Sequence, residues 1–253
     1  MRSRLLPAAL ISTSVVLLLA AALVIVSGDD PAGTSAPSVS DATGTTRGAS
    51  LGRNTLAGAI EVAQVRLRTL PKDDQTWAEL GSAYVQQARV TGDPSYYPKA
   101  EGALDRSLAL KKDGNVAAMV GMGSLANARH EFSQAKDWGQ QATTANPYQS
   151  GGYGVLADAL TQLGDYDGAD AAIQKMLDLQ PGLASFSRAS YAFEQRGQTG
   201  PARDSMKRAL AEAIDPADIA FCRYYLGELA FNSGDPEAAM EQYRLGLLAL
   251  PTS

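Results

Sequence analysis

Along most of the chain large apolar residues recur three and four positions apart, in short runs that come in pairs. The clearest pair lies between Ser150 and Pro181. In its first run Tyr153, Leu156, Ala157 and Leu160 share one helix face; in its second, Ala169, Ile173 and Met176 do so, and Pro181 stops the run. Large and small residues side by side in both runs predict two short helices packed antiparallel, the small ones letting the backbones approach. The layout returns on either side. Trp77, Leu80-Gly81 and Tyr84 precede Ala100, Leu104 and Ser107, with Lys112 where the proline would stand; Met119, Met122-Gly123 and Ala126 precede Ala135 and Ala142. Phe186, Ala189-Ser190 and Phe193 precede Ala202, Met206 and Ala209; Leu226-Gly227 and Ala230 precede Ala239, Tyr243 and Gly246. Ahead of them Leu56 to Leu70 reads as one amphipathic helix closing at Pro71, the second half of a hairpin.

Punctuation keeps the same register. Pro147, Pro181, Pro216 and Pro251 stand 34, 35 and 35 residues apart. Gly164-Asp165-Tyr166-Asp167, Gly197-Gln198-Thr199-Gly200 and Gly234-Asp235-Pro236 fall between the paired runs. In each, the glycine can end one helix and the polar residue can cap the next. A helical hairpin returning with a period near 34 resembles the tetratricopeptide repeat (TPR) family over about residues 54–251, with repeats near 74–113, 116–149, 150–182, 183–216 and 217–251. The resemblance implies an all-α solenoid of about five hairpins plus one leading helix, occupying residues 53–253. Such hairpins cannot bury their apolar faces singly, and stacking supplies the core.

The family's first helices line a concave groove that holds an extended or helical segment of a partner. Carried over residue by residue, that groove would be lined by Ser82 and Gln86, then Ser124 and Asn127, then Asp158 and Gln162. Tyr191, Glu194 and Gln195 follow, and finally Tyr224, Glu228, Phe231 and Asn232. The lining is neutral to acidic, with its aromatics toward the C-terminal half. Chaperone-binding family members clamp a terminal carboxylate with Lys and Asn; Asn127 and Asn232 are present but no Lys is, which disfavours a carboxylate-ended partner. A segment with basic or aromatic side chains fits better, through cation–π contacts with Tyr191 or Tyr224 and pairing with Glu194 or Glu228.

Two places depart from the repeat. The first copy carries about seven extra residues around Thr91–Pro98, where Tyr96 and Tyr97 stand between prolines. These tyrosines either form a rim of the groove or pack on an extended first helix. In the last helix Met240, Tyr243, Leu245, Leu247 and Leu248 are more apolar than one neighbouring helix covers. That face predicts self-association, in a shortened version of a longer array.

The first 27 residues have a different character. Arg2 and Arg4 precede a 22-residue apolar run, Leu5 to Val26, and Asp29-Asp30 follow it. This charge order fits an N-terminus inside and the remainder exported. The run is long enough to span a bilayer and longer than the usual signal-peptide core, which favours an uncleaved signal anchor over a cleaved signal. Residues 28–52 are rich in Gly, Ser, Thr, Pro and Asp without apolar periodicity and read as a disordered tether, holding the solenoid ~25–30 Å from its anchor.

Charge and chemistry narrow the function. The net charge of −5 becomes −7 once Arg2 and Arg4 are set aside, which argues against nucleic-acid binding. Cys222 is the only cysteine and reads as a small buried hydrophobe; the lone His130 cannot build a multi-histidine zinc site and is expected to cap the preceding helix. Gly151-Gly152-Tyr153-Gly154 lacks the Gly-Lys-Ser/Thr of a phosphate loop, and Asp165 and Asp167 lack the frame of a calcium loop. No catalytic residue, cofactor or metal is implied. Three readings remain: a membrane-tethered extracytoplasmic interaction scaffold, an apoprotein-binding chaperone of the cytochrome c maturation kind, and a self-associating structural module.

Overall fold

The computed structural model describes residues 48–250, with side chains from Leu56 onward. The apolar run and most of the tether lie outside the described residues. Eleven α-helices and no strand make up the described part: α1 Gly48–Thr69, α2 Asp74–Thr91, α3 Tyr96–Leu110, α4 Val116–Ala128, α5 Phe132–Ala145, α6 Ser150–Gln162, α7 Tyr166–Leu179, α8 Leu183–Gln195, α9 Thr199–Glu212, α10 Pro216–Asn232 and α11 Pro236–Ala249. None of them is long and apolar enough to cross a membrane. Helix α1 begins at Gly48, so the last residues of the segment read as tether are helical.

From α2 onward the helices pack as five antiparallel pairs, each pair stacked on the next, with α1 against α2 as the leading half-hairpin. Local chemistry sets the helix ends. Asp73, Asn115, Asp165 and Asp235 each accept from a backbone N–H in the first turn of the helix that follows. The hairpin turns at Gly92, Gly164, Gly197 and Gly234 take positive φ, which ends the first helix at no steric cost. In the second hairpin His130 holds that position at φ 63°. Its backbone N–H, not its side chain, bonds a helix-terminal carbonyl, that of Asn127 at 3.1 Å, while the ring stacks on Phe132.

The core follows the small residues. Leu104 of α3 is fully buried, and a methyl group added at either Gly81 of α2 or Gly121 of α4 would strike it. One side chain therefore keys both the first hairpin and its junction with the second. That junction also carries buried polar bonds: Ser107 donates to the Asp74 carbonyl at 2.6 Å, and Asn115 donates to Ser107 Oγ at 2.9 Å. Cys222 has no exposed surface, and burial pushes its thiol up to about 12, leaving it an inert core residue.

The insertion in the first copy is not a long loop. Helix α2 has 18 residues where α4, α6 and α8 have 13, and only Gly92–Ser95 connect it to α3. Tyr96 and Tyr97 open α3 half-buried against the first core cluster. Tyr96 lies 6.0 Å from the Tyr84 ring, and Tyr97 donates to the Ala128 carbonyl at 3.4 Å. Of the two readings, packing on a lengthened first helix is the one the structure bears out. Helix α1, about 33 Å long, also touches α10, so the arc of hairpins is bridged by its own leading helix.

Candidate protein-binding groove

The residues carried over to the groove separate into three groups. The first is structural. Ser82 is half-buried beside α4, and Asn127, only 3% exposed, donates to the Val155 carbonyl at 3.2 Å and so ties α4 to α6. Its Oδ1 is buried without a hydrogen-bond partner among the described residues. Ser124 is half-buried and Gln162 is open to solvent.

The second group is an aromatic–acidic cluster where α8 meets α10. Burial raises the carboxyl of Glu194, an Asn232 hydrogen bond offsets part of that, and the like charge of Glu228 adds to it. Tyr243 donates its hydroxyl to Glu228. Burial together with the neighbouring tyrosines and glutamates pushes Tyr225 up to about 12, and Tyr191 is raised by burial and by Glu194. Tyr224 packs edge-on against Tyr225 with ring centroids 5.1 Å apart, leaving 48% of its own surface exposed; Phe231 is 61% exposed. Gln195 is also exposed. The structure thus brings Tyr191, Glu194, Tyr224, Glu228 and Asn232 together. Tyr225 and Tyr243 join them without having been marked from sequence. Tyr225 lies outside the groove register, and Tyr243 arrives from the second helix of its hairpin, packed over Gly227. Neither glutamate forms an ion pair among the described residues.

The third group is cationic, and the sequence reading missed it. Arg188 of α8 grips both oxygens of Asp158 of α6, at 2.8 and 2.7 Å, and gives a further bond to the Ala184 carbonyl. Its side chain is 7% exposed and that of Asp158 is 21%, so this is a largely desolvated ion pair. A Cβ at Gly154 would sit 3.6 Å from the guanidinium carbon, so the start of α6 is shaped to admit it. Gln86 accepts from Arg89, one turn further along α2, at 3.4 Å. The groove is therefore not neutral to acidic throughout. It carries arginines at the α2–α6–α8 end and free carboxylates at the α8–α10 end. No signal in the family register marks either arginine, because Arg89 lies on the inserted turn and Arg188 sits between groove positions.

A stack of antiparallel helical hairpins with a lined concave side defines a helical-repeat interaction module. Residues 151–182 match the family model described as tetratricopeptide repeat. Similar solved structures include TTC0263, a thermophilic TPR protein of Thermus thermophilus, at TM-score 0.62 and 21% identity, covering 71% of this chain and 93% of that one. PilW, described as a widely conserved type IV pilus biogenesis factor, aligns at TM-score 0.57 and 19% identity over 80% of this chain and 90% of its own. A chain of the APC/C hetero-tetramer Cut9-Hcn1 aligns at TM-score 0.65 and 17% identity, over 79% of this chain but 38% of that one. No curated protein sequence matches this chain. The described residues form a TPR solenoid, with one hairpin recognised directly in sequence.

Proposed function

We propose that this chain is a protein-interaction scaffold whose concave groove holds an extended or helical segment of another polypeptide. Basic or aromatic side chains of that segment would meet Tyr191, Glu194, Tyr224 and Glu228. The observation that carries this reading is the pair of unneutralised carboxylates set among four tyrosines, one of the carboxylates raised by burial. Carboxylates withdrawn from water without a cation are costly to the free protein. A partner's Lys or Arg would relieve that cost while stacking on the rings. The fold supports the reading, since hairpin solenoids present extended concave surfaces of this kind. PilW is described as a biogenesis factor, and Cut9-Hcn1 is an assembly of two different proteins. The apolar run near the N-terminus leads us to propose in addition that residues 1–27 anchor the solenoid outside the cytoplasm.

The test is retention of partner polypeptide by the full chain purified from its native cells, compared with Tyr191→Ala and Tyr224→Ala variants of unchanged helicity. Retention of the same partner should fall about tenfold in each, the usual scale for an aromatic anchor in an interface. Equal retention by parent and variants would remove the groove reading.

A second reading has its own observation. Met240, Leu247 and Leu248 on α11 are 68%, 60% and 63% exposed, an apolar face rimmed by Glu237 and Arg244. A structural module that pairs through this face would sediment as a dimer, and Leu247→Lys would return it to a monomer.

A further inference from the structure

The inserted turn of α2 suggests what one part of the groove recognises. Ser82, Gln86 and Arg89 are spaced four and three residues apart, so they form one stripe along α2. Without its extra turn, a helix of the length of α4 or α6 would end at Gln86. The insertion therefore adds Arg89 to the groove stripe.

Arg89 sits in an uncompensated field. Across the groove Asp158 attracts it and Arg188 repels it. Both oxygens of Asp158 are already taken by Arg188. Two guanidinium groups thus share one carboxylate, leaving a surplus of one positive charge. Arg89 itself forms no ion pair among the described residues, and its one hydrogen bond is to the neutral Gln86. Removal from water is the largest influence on its protonation and lowers its pKa, which marks it as a largely buried cation. A buried cation of this kind gains strongly from an anion brought to it, and a guanidinium suits the planar, two-oxygen geometry of a carboxylate.

We propose that Arg89, with Arg188 behind it, receives a carboxylate of the segment bound in the groove. This rests on the groove reading above and adds the partner's chemistry to it. A surplus of one charge matches a carboxylate, whereas a phosphate dianion would overshoot it. The bound segment then has two ends of opposite character: an acidic group at the α2–α6–α8 end and basic or aromatic side chains at the α8–α10 end. This reverses the sequence-based expectation that the absence of lysine disfavours a carboxylate.

The experiment presents the full chain with pools of synthetic peptides, randomised with or without Asp and Glu, each bearing a free or an amidated C-terminus. The parent chain should retain peptides enriched in acidic groups. Loss of retention on amidation would identify the C-terminal carboxylate as the source, and indifference to amidation an Asp or Glu side chain. Arg89→Gln should weaken retention of those peptides about tenfold or more, and Arg89→Lys should restore part of it. No enrichment of acidic peptides by the parent overturns the proposal without recourse to any variant. If Arg89→Gln retains the same peptides as the parent while Tyr191→Ala loses them, the groove reading stands and the carboxylate subsite falls. If the parent retains nothing from any pool, both fall.

Discussion

Leu104 shows how closely single residues are constrained in this fold. It fills the space left by Gly81 and Gly121, so a methyl group at Gly121 meets its side chain at once. Gly121→Ala is expected to lower stability by about 1–3 kcal/mol, read as a lower urea midpoint, because overpacking must be relieved by moving α4. His130 offers the opposite case. Four other hairpin turns use glycine at positive φ, and a side chain there is held in a conformation that L-residues disfavour. His130→Gly should raise the urea midpoint, by about 0.5 kcal/mol, after loss of the ring's stacking on Phe132 is counted. A lowered midpoint would mean that the stacking outweighs the backbone strain. Glu194 makes a prediction in pH. Its folded carboxyl titrates above its unfolded value of 4.5, so ionising it costs the folded state. The favourable contribution is complete below about the unfolded value and is lost as pH rises through the folded one. Glu194→Gln should therefore be the more stable protein at neutral pH. Its advantage over the parent should shrink toward pH 4.5; a difference that does not change with pH would contradict the assignment.

At the level of elements, much was legible in the sequence. Small residues at Gly81, Gly123, Ala157 and Gly227 mark where helices press together, and glycine and proline mark where they end. The hairpins from Asp74 to Ala249 follow from these signals. The start of α1 at Gly48 was not legible, since Gly48 to Asn54 lacks an apolar period. The insertion is hard to read for a different reason. Thr91-Gly92-Asp93-Pro94 has the composition of a loop, but Gln87, Ala88 and Arg89 ahead of it are good helix formers, and α2 runs on until Gly92 ends it at φ 68°. The extra turn needs cover, and Tyr96 and Tyr97 supply part of it. Tyr97→Ala should remove about 2–3 kcal/mol from the first two hairpins, with faster amide exchange in α2 to α4. Because a solenoid is stabilised by neighbours, α8 to α11 should keep their protection. Uniform loss along the whole chain would mean that the array unfolds as one unit, with the contact between α1 and α10 the obvious coupling.

On the scale of the whole molecule, the groove positions inherited from the repeat describe only part of the concave face. Tyr191, Glu194, Tyr224, Glu228 and Asn232 do converge, because their helices are adjacent in the stack. The charge balance was hidden, because it depends on Arg188 reaching back about one repeat to Asp158 and on Arg89 reaching across from the inserted turn. Pairings of that range have no signature in local spacing. The resulting surface is bipolar, and it makes the concave side, rather than the apolar face of α11, the place where this protein meets its partner. The direct test places a photo-reactive residue at Tyr191 in one copy of the full chain and at Leu248 in another, and maps the crosslinked peptides formed in the native cells. Tyr191 should capture one defined segment of a different polypeptide, bearing basic or aromatic residues. Capture of this protein by itself, and only from Leu248, would contradict the concave-groove reading.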